Sequence, residues 1–334
     1  MSRDTTISNS KSSPGGFLIV AALFILTEAL VYSHRPDLVD DFWNKFIINE
    51  HRLVELKTDY DYLIMGNSIQ KTGIDPTQVS DKILNLGLPG SKPQGLYLLL
   101  KRYLSGHKPP KTIFLYVDPE DPRDSMFVVL RYFVNIPEFI SIWKDLSWGE
   151  RRCFIFRYWA SLDLRRVGFV IRDKYPGGNA DFVAAMKKNK GYMPSPRSET
   201  SISDDHFAKT NDRYAGTVSL TKKDAAYLDR FVKLAASNNI KIVLLGIVMP
   251  KELYDMLDKS GFNRDWFLFF EVMKRRAYPN VHFVDDPILF MENRYFGDMS
   301  HMNREGSKLY TEYFKNRVFR DGSSLPNSLK INEL

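Results

Sequence analysis

The sequence predicts an α/β protein: a parallel sheet covered by helices on both faces, with a helical insertion and an N-terminal transmembrane helix. Three observations carry this reading. Short, continuous apolar runs alternate with amphipathic stretches of helical period, the pattern of strands buried on both faces. Glycines follow the first two runs, where a chain leaving a sheet turns sharply. A long apolar run also lies close to the N-terminus.

The elements follow in order. Residues 1–16 form a polar, Ser-rich tail with Arg3 and Lys11. Phe17 to Tyr32 reads FLIVAALFILTEALVY, apolar but for Thr27 and Glu28, and is about long enough to cross a bilayer. Glu28 lies near its distal end, where a long side chain reaches the interface. No small-x-small cleavage site follows, so 17–33 is read as a retained anchor rather than a cleaved signal. A short tail before a first apolar segment stays in the cytoplasm, which leaves the remainder outside, on a single-pass cell-membrane protein. Residues 34–58 read as a helical neck, 59–321 as the folded domain and 322–334 as a loose tail.

Within the domain, Tyr62 to Met65, Lys82 to Leu86 and Thr112 to Val117 read as the first three strands. Gln94 to Leu104 is helical between the second and third. Thr221 to Asn238 is an amphipathic helix, Lys241 to Ile247 a fourth strand and Val281 to Val284 a fifth. Arg304 to Phe319 is a terminal helix with Asn303 as its N-cap. The stretch 125–215 breaks the alternation. It is aromatic and basic, and 131–190 alone holds 12 Lys/Arg against 6 Asp/Glu in a chain of net charge +7. It reads as an insertion over the carboxyl ends of the strands, where such sheets bind ligands.

Composition narrows the function. A hydrophobic fraction of 44% excludes a disordered chain. Cys153 is the single cysteine, so no internal disulfide forms, and no Cys/His cluster has metal-ligand spacing. No cofactor is expected. Nucleic acid is not an expected partner, because the basic stretch matches no recognition motif. Its arginines suit a solvated helix face as well as anionic glycans or phospholipid head groups.

Three motifs carry chemistry. In MGNSIQ, Ser68 stands just past the first strand, in a turn that presents its hydroxyl and its own N–H to a cleft. In FGDMSHMN, Asp298 precedes His301 by three residues, close enough to hold the ring's Nδ1–H and leave Nε2 free to deprotonate a serine. In NLGLPG, Asn85 to Gly90, glycines allow close approach of backbone to a ligand. Each has a plain structural reading: a capped turn, a helix-preceding loop, a strand exit. Their joint occurrence at strand ends favours the chemical one. His34, His51, His107, His206 and His282 lack a comparable carboxylate spacing.

These blocks resemble those of the SGNH/GDSL hydrolases. Gly66-Asn67-Ser68 is similar to their first block, Asn85 to Gly90 to their second, and Asp298-Met299-Ser300-His301 to their terminal Asp-x-x-His. The likeness spans roughly 60–120 and 220–320. It implies a flavodoxin-like three-layer fold, Ser68 as nucleophile, His301 as base and Asp298 as its orienting partner. The Ser68 and Gly90 N–H groups would line an oxyanion hole. Asn67, Asn85 and Asp118 are candidate substrate-site residues. There are two departures: Asn67 stands where the family has Asp beside the serine, and, more seriously, the third strand ends VDPEDPRD, without the family's asparagine, and ionised Asp118 cannot donate to an oxyanion. The second departure, with the anchor, is similar to membrane-anchored SGNH-like proteins that modify cell-surface polymers. That likeness implies an acyltransferase or esterase acting on acyl esters of a cell-surface glycan, with a membrane-bound O-acyltransferase as partner. A plain esterase and a non-catalytic glycan-binding protein are the alternatives.

Overall fold

A computed structural model describes residues 18–19, 22–26, 54, 57–117, 134–156, 188–193, 202, 220–276 and 278–319, with only the backbone of 153, 155 and 156. The expected tails, most of the anchor and neck, and most of the 125–215 insertion lie outside these residues. At 18–19 and 22–26 the chain is helical, with Leu18, Ile19, Leu23, Ile25 and Leu26 exposed. Among the described residues no helix is long and apolar enough to cross a membrane.

The core is a five-stranded, wholly parallel sheet in the order β2-β1-β3-β4-β6. Its strands are β1 (Tyr62–Gly66), β2 (Ile83–Gly87), β3 (Thr112–Leu115), β4 (Lys241–Leu244) and β6 (Val281–Phe283). β1 to β4 are buried almost throughout, which explains their unbroken apolar runs. Helix α1 (Ser68–Gly73) links β1 to β2, and α2 (Pro93–Gly106) links β2 to β3. The first link moves one way along the sheet and the second moves back, so right-handed crossovers put the two helices on opposite faces. α2 packs against α5 (Lys222–Ser237), and α1 against α8 (Arg304–Tyr313). α5 buries Tyr227, Leu228, Phe231, Val232 and Ala235, a stripe at helical spacing. The arrangement is compatible with a three-layer α/β/α fold.

The expected fourth strand, 241–247, is two strands. β4 ends at Leu244, and β5 (Ile247–Pro250) pairs with β7 (Ile288–Met291) in a separate two-stranded parallel sheet. The break falls at Gly246, where a Cβ would sit 2.4 Å from the Asp286 carbonyl and 2.7 Å from that of Pro287. The two neighbouring chains draw together there, and Ile247 N–H bonds Pro287 O at 3.0 Å to start the new pairing. A continuous apolar run hides such a break, because both halves are buried. Two helices cover this small sheet, α6 (Lys251–Ser260) and α7 (Phe262–Arg275). Trp266 of α7 donates to Pro287 O at 2.9 Å and stacks near Tyr116. The terminal helix is α-helical to Tyr313 and continues as a π-helix over Phe314–Phe319.

The described part of the insertion lies along the outside of α2 and α5. It comprises α3 (Ile136–Ile142) and α4 (Trp148–Phe156) with a short 3-10 turn between them. Glu138 pairs with Arg102 of α2, and Asp145 accepts from Arg230 of α5 at 3.1 Å. Nearly buried Glu150 accepts from Lys223 at 2.8 and 3.0 Å. Residues 188–193 cross the free edge of the sheet. Asn85 N–H donates to Lys190 O at 3.0 Å, and the Tyr192 hydroxyl bonds Ser307 of α8 at 2.8 Å. These segments buttress the flank and edge of the sheet; the rest of the insertion expected over the strand ends lies outside the described residues.

Candidate active site

The order β2-β1-β3 reverses direction beside β1, and in open α/β sheets the crevice at such a reversal is where ligands bind. Ser68 stands there, two residues past β1, as the first residue of α1. Asn67 caps the helix, its side-chain oxygen accepting from Ile69 N–H at 2.9 Å. Gly66 and Gly87 are register partners at the ends of β1 and β2, and neither has room for a side chain. A Cβ on Gly87 would lie 2.7 Å from Lys71 N and 3.0 Å from Asn67 O, so only glycine lets α1 start this close to the sheet.

The other half of the site is a tight loop. Phe296 and Met302 form a two-residue antiparallel bridge and are fully buried, so they anchor both ends. Between them, Gly297 N–H donates to His301 O at 2.8 Å. Asp298 Oδ1 accepts from the backbone N–H of Ser300 at 2.9 Å and of His301 at 2.8 Å. The same carboxylate accepts from His301 Nδ1 at 3.0 Å with either oxygen. Partial burial opposes ionisation of Asp298, but the bonds from the ring and the two amides outweigh it and hold the carboxyl down to about 2. It is therefore an acceptor at any physiological pH, which makes Nδ1 the protonated nitrogen and Nε2 the basic one. Nε2 lies 2.8 Å from Ser68 Oγ, so the hydroxyl donates to it. The structure thus brings Ser68, His301 and Asp298 into one chain of hydrogen bonds, with all three partly exposed.

Gly90 occupies the third position of the turn Leu88–Ser91, closed by Ser91 N–H to Leu88 O at 2.9 Å. Its φ of 65° and the preceding Pro89 fit a type II turn, in which a positive φ favours glycine. Leu88 N–H donates to Gly66 O at 2.8 Å, which ties this turn to the strand end that carries Ser68. Among the described residues, neither Ser68 N–H nor Gly90 N–H has an intramolecular acceptor.

The remaining candidates divide. Asn85 is fully buried and committed to the scaffold: its amide donates to Gln70 O at 2.8 Å and Ile74 O at 2.9 Å, and its oxygen accepts from Gly87 N–H at 2.9 Å. The structure therefore assigns it to fixing α1 against β2, not to substrate. Asn67 serves as the cap described above. Asp118 lies outside the described residues. No group of three His, Cys, Asp or Glu side chains among the described residues could hold a metal ion.

Sequence reasoning missed the second layer of this site. Lys71, one turn along α1 from Ser68, is fully buried, and burial pushes its amine well below the usual lysine range. Ser307 and Thr311 of α8 both donate to Gly73 O, at 3.2 and 3.3 Å, and so lock α8 to α1. The signal was present in α8: small polar residues four apart on one helix face mark a close helix contact.

No family model matches the chain, and no curated protein matches it. A solved structure described as "a putative platelet activating factor from Streptococcus pneumonia" is 12% identical, covering 91% of this chain and 98% of that one, with a TM-score of 0.38. A likeness at that level assigns neither fold nor activity.

Proposed function

We propose that this protein is a serine acyl hydrolase or acyltransferase that works through an acyl-enzyme on Ser68. The observation that carries the reading is the 2.8 Å bond between Ser68 Oγ and His301 Nε2, with Nδ1 of the same ring held by Asp298. A buried scaffold has no need of a serine, an imidazole and an ionised carboxylate in series at the open end of a sheet. Nucleophilic catalysis needs that series.

The chemistry follows from the geometry. Ser68 passes its proton to Nε2 as Oγ attacks the ester carbonyl carbon. The Asp298 carboxylate stabilises the imidazolium. The Ser68 and Gly90 N–H groups are the donors available to the developing oxyanion. The imidazolium then protonates the departing alkoxide, leaving the acyl group on Ser68. Water or a sugar hydroxyl gives its proton to Nε2 as it attacks the acyl carbonyl, and the imidazolium returns a proton to Ser68 Oγ as the bond from Oγ to the acyl carbon breaks. The motif resemblance to SGNH/GDSL hydrolases supports this reading. Within it, the likeness to membrane-anchored polymer-modifying proteins gives the finer reading: acyl transfer to or from an extracytoplasmic glycan, beside a membrane-bound O-acyltransferase.

The test of the core reading is labelling. Exposed to an activated acyl ester, the protein should gain one acyl mass on the peptide that contains Ser68, and Ser68→Ala should gain none. Turnover of the adduct in water alone, against turnover only with an added oligosaccharide, separates the esterase from the transferase. Equal labelling of both proteins would reject the reading.

A further inference from the structure

Along β5 and β7 the structure forms a half-open cavity of about 370 Å³, within the size range of small-molecule sites. Its floor is Val248 and Leu289, 2% and 8% exposed, and its walls include Phe290, Met291 and Tyr310. Leu309 of α8, at 37% exposure, lines it where it opens to solvent. Among the described residues two charged ones line it, half-buried Lys251 and exposed Glu292, and both are engaged. Lys251 pairs with Asp255 and lies 5.2 Å from the centre of the Phe290 ring, and Glu292 pairs with Arg294 at 2.9 Å. Burial holds the Tyr310 and Tyr313 phenols above their usual range, so both stay neutral. The interior therefore offers hydrocarbon and aromatic surface, and its charges are neutralised by neighbours at the solvent side.

We propose that this cavity is a binding site for an uncharged, straight hydrocarbon chain, such as the tail of an acyl group or lipid. A compact polar ligand would find too few partners to replace its water, and a charged one would have to displace an existing ion pair. A flexible chain gains from each methylene it buries and needs no partner. The site also touches the catalytic loop through the backbone. Tyr295, a wall residue, accepts at its carbonyl from Asn303 N–H at 2.9 Å and abuts Gly306, where a Cβ would be 2.0 Å from that oxygen. A bound chain would thus rest against the segment that sets the His301 loop.

The experiment is calorimetric titration of the full-length Ser68→Ala protein with straight-chain alkanols from butanol to decanol. Ser68→Ala keeps the measurement independent of the acyl-enzyme reading, so the two can fail separately. Affinity should rise roughly four-fold per added methylene and level off once the cavity is full. Leu309→Trp should plug the mouth and weaken decanol binding at least about ten-fold, with an unchanged melting temperature. Val248→Phe, which fills the floor, should move the plateau to shorter chains. In the active protein, decanol raising KM for a long-chain ester without changing kcat marks the chain as the substrate's own tail. Decanol binding without that competition marks a separate lipid. No binding by any alkanol, or a chain-length series unchanged in both variants, would overturn the proposal.

Discussion

The Asp298 carboxylate binds two backbone amides of its own turn and the His301 ring, so a single side chain folds the loop and sets the tautomer. The two jobs separate experimentally. Its carboxyl is held near 2, below the usual value of 3.8, so it stabilises the folded state above about pH 4. That stabilisation should drain away as pH falls from about 4 towards 2. Denaturant titrations across this window should show the native protein losing more stability than Asp298→Asn, which has no such group to protonate. At neutral pH, Asp298→Asn should keep the fold and lose activity by about 10⁴-fold, the loss expected when an amide fixes the wrong tautomer. Asn85 is the contrasting residue. Asn85→Ala would strand the Ile74 carbonyl and the Gly87 N–H, leave Gln70 O with only the Ile74 N–H, and should cost about 2 kcal/mol in chemical denaturation. The sequence put Asn85 at the exit of the second strand, whereas it stands in the middle of β2, and it could not tell a brace from a substrate contact, since both uses suit a polar residue near glycine. The convergence of Ser68, Asp298 and His301 was legible because a serine past the first strand and an Asp-x-x-His loop near the last helix can meet at one edge of a parallel sheet.

Among the elements, the glycines do more than the hydrophobic pattern reveals. Gly306 lets the first turn of α8 lie directly on the Tyr295 carbonyl, 2.0 Å from where a Cβ would be. Gly306→Ala must push α8 away from the His301 loop. It should lower stability by about 1–3 kcal/mol and slow acylation of Ser68 at a pH where the fold is intact. Stopped-flow acylation set beside a melting curve would separate the two effects. The strands β1 to β3 were readable from unbroken apolar runs, because they are buried on both faces, and helices α2 and α5 from periodicity, because each buries one face. The break at Gly246 was not, because it depends on the backbone of 286–287, some forty residues on in sequence. The short strand β7 and its partner β5 escaped for the same reason: their pairing is non-local, and their apolar runs are equally at home in one longer strand. The insertion's aromatic composition announced burial without saying against what. The Glu138, Asp145 and Glu150 contacts place its described part on α2 and α5.

At the scale of the molecule, parallel topology does the work of bringing distant chain segments together. Ser68 follows β1, Gly90 follows β2, and the Asp298–His301 loop follows β7, so all leave the sheet system at the carboxyl ends of its strands. The Tyr192–Ser307 and Ser307–Gly73 bonds then tie the edge segment, α8 and α1 into one support behind the serine. The central claim is that this support exists to make Ser68 a nucleophile. Intact-mass spectrometry after brief exposure to an activated acyl ester tests it most directly. The native protein should carry one acyl group on Ser68, Ser68→Ala none, and His301→Ala a fraction that forms at least about 10³-fold more slowly. An unmodified native protein under conditions where the fold is intact, or an adduct that persists in Ser68→Ala, would contradict it.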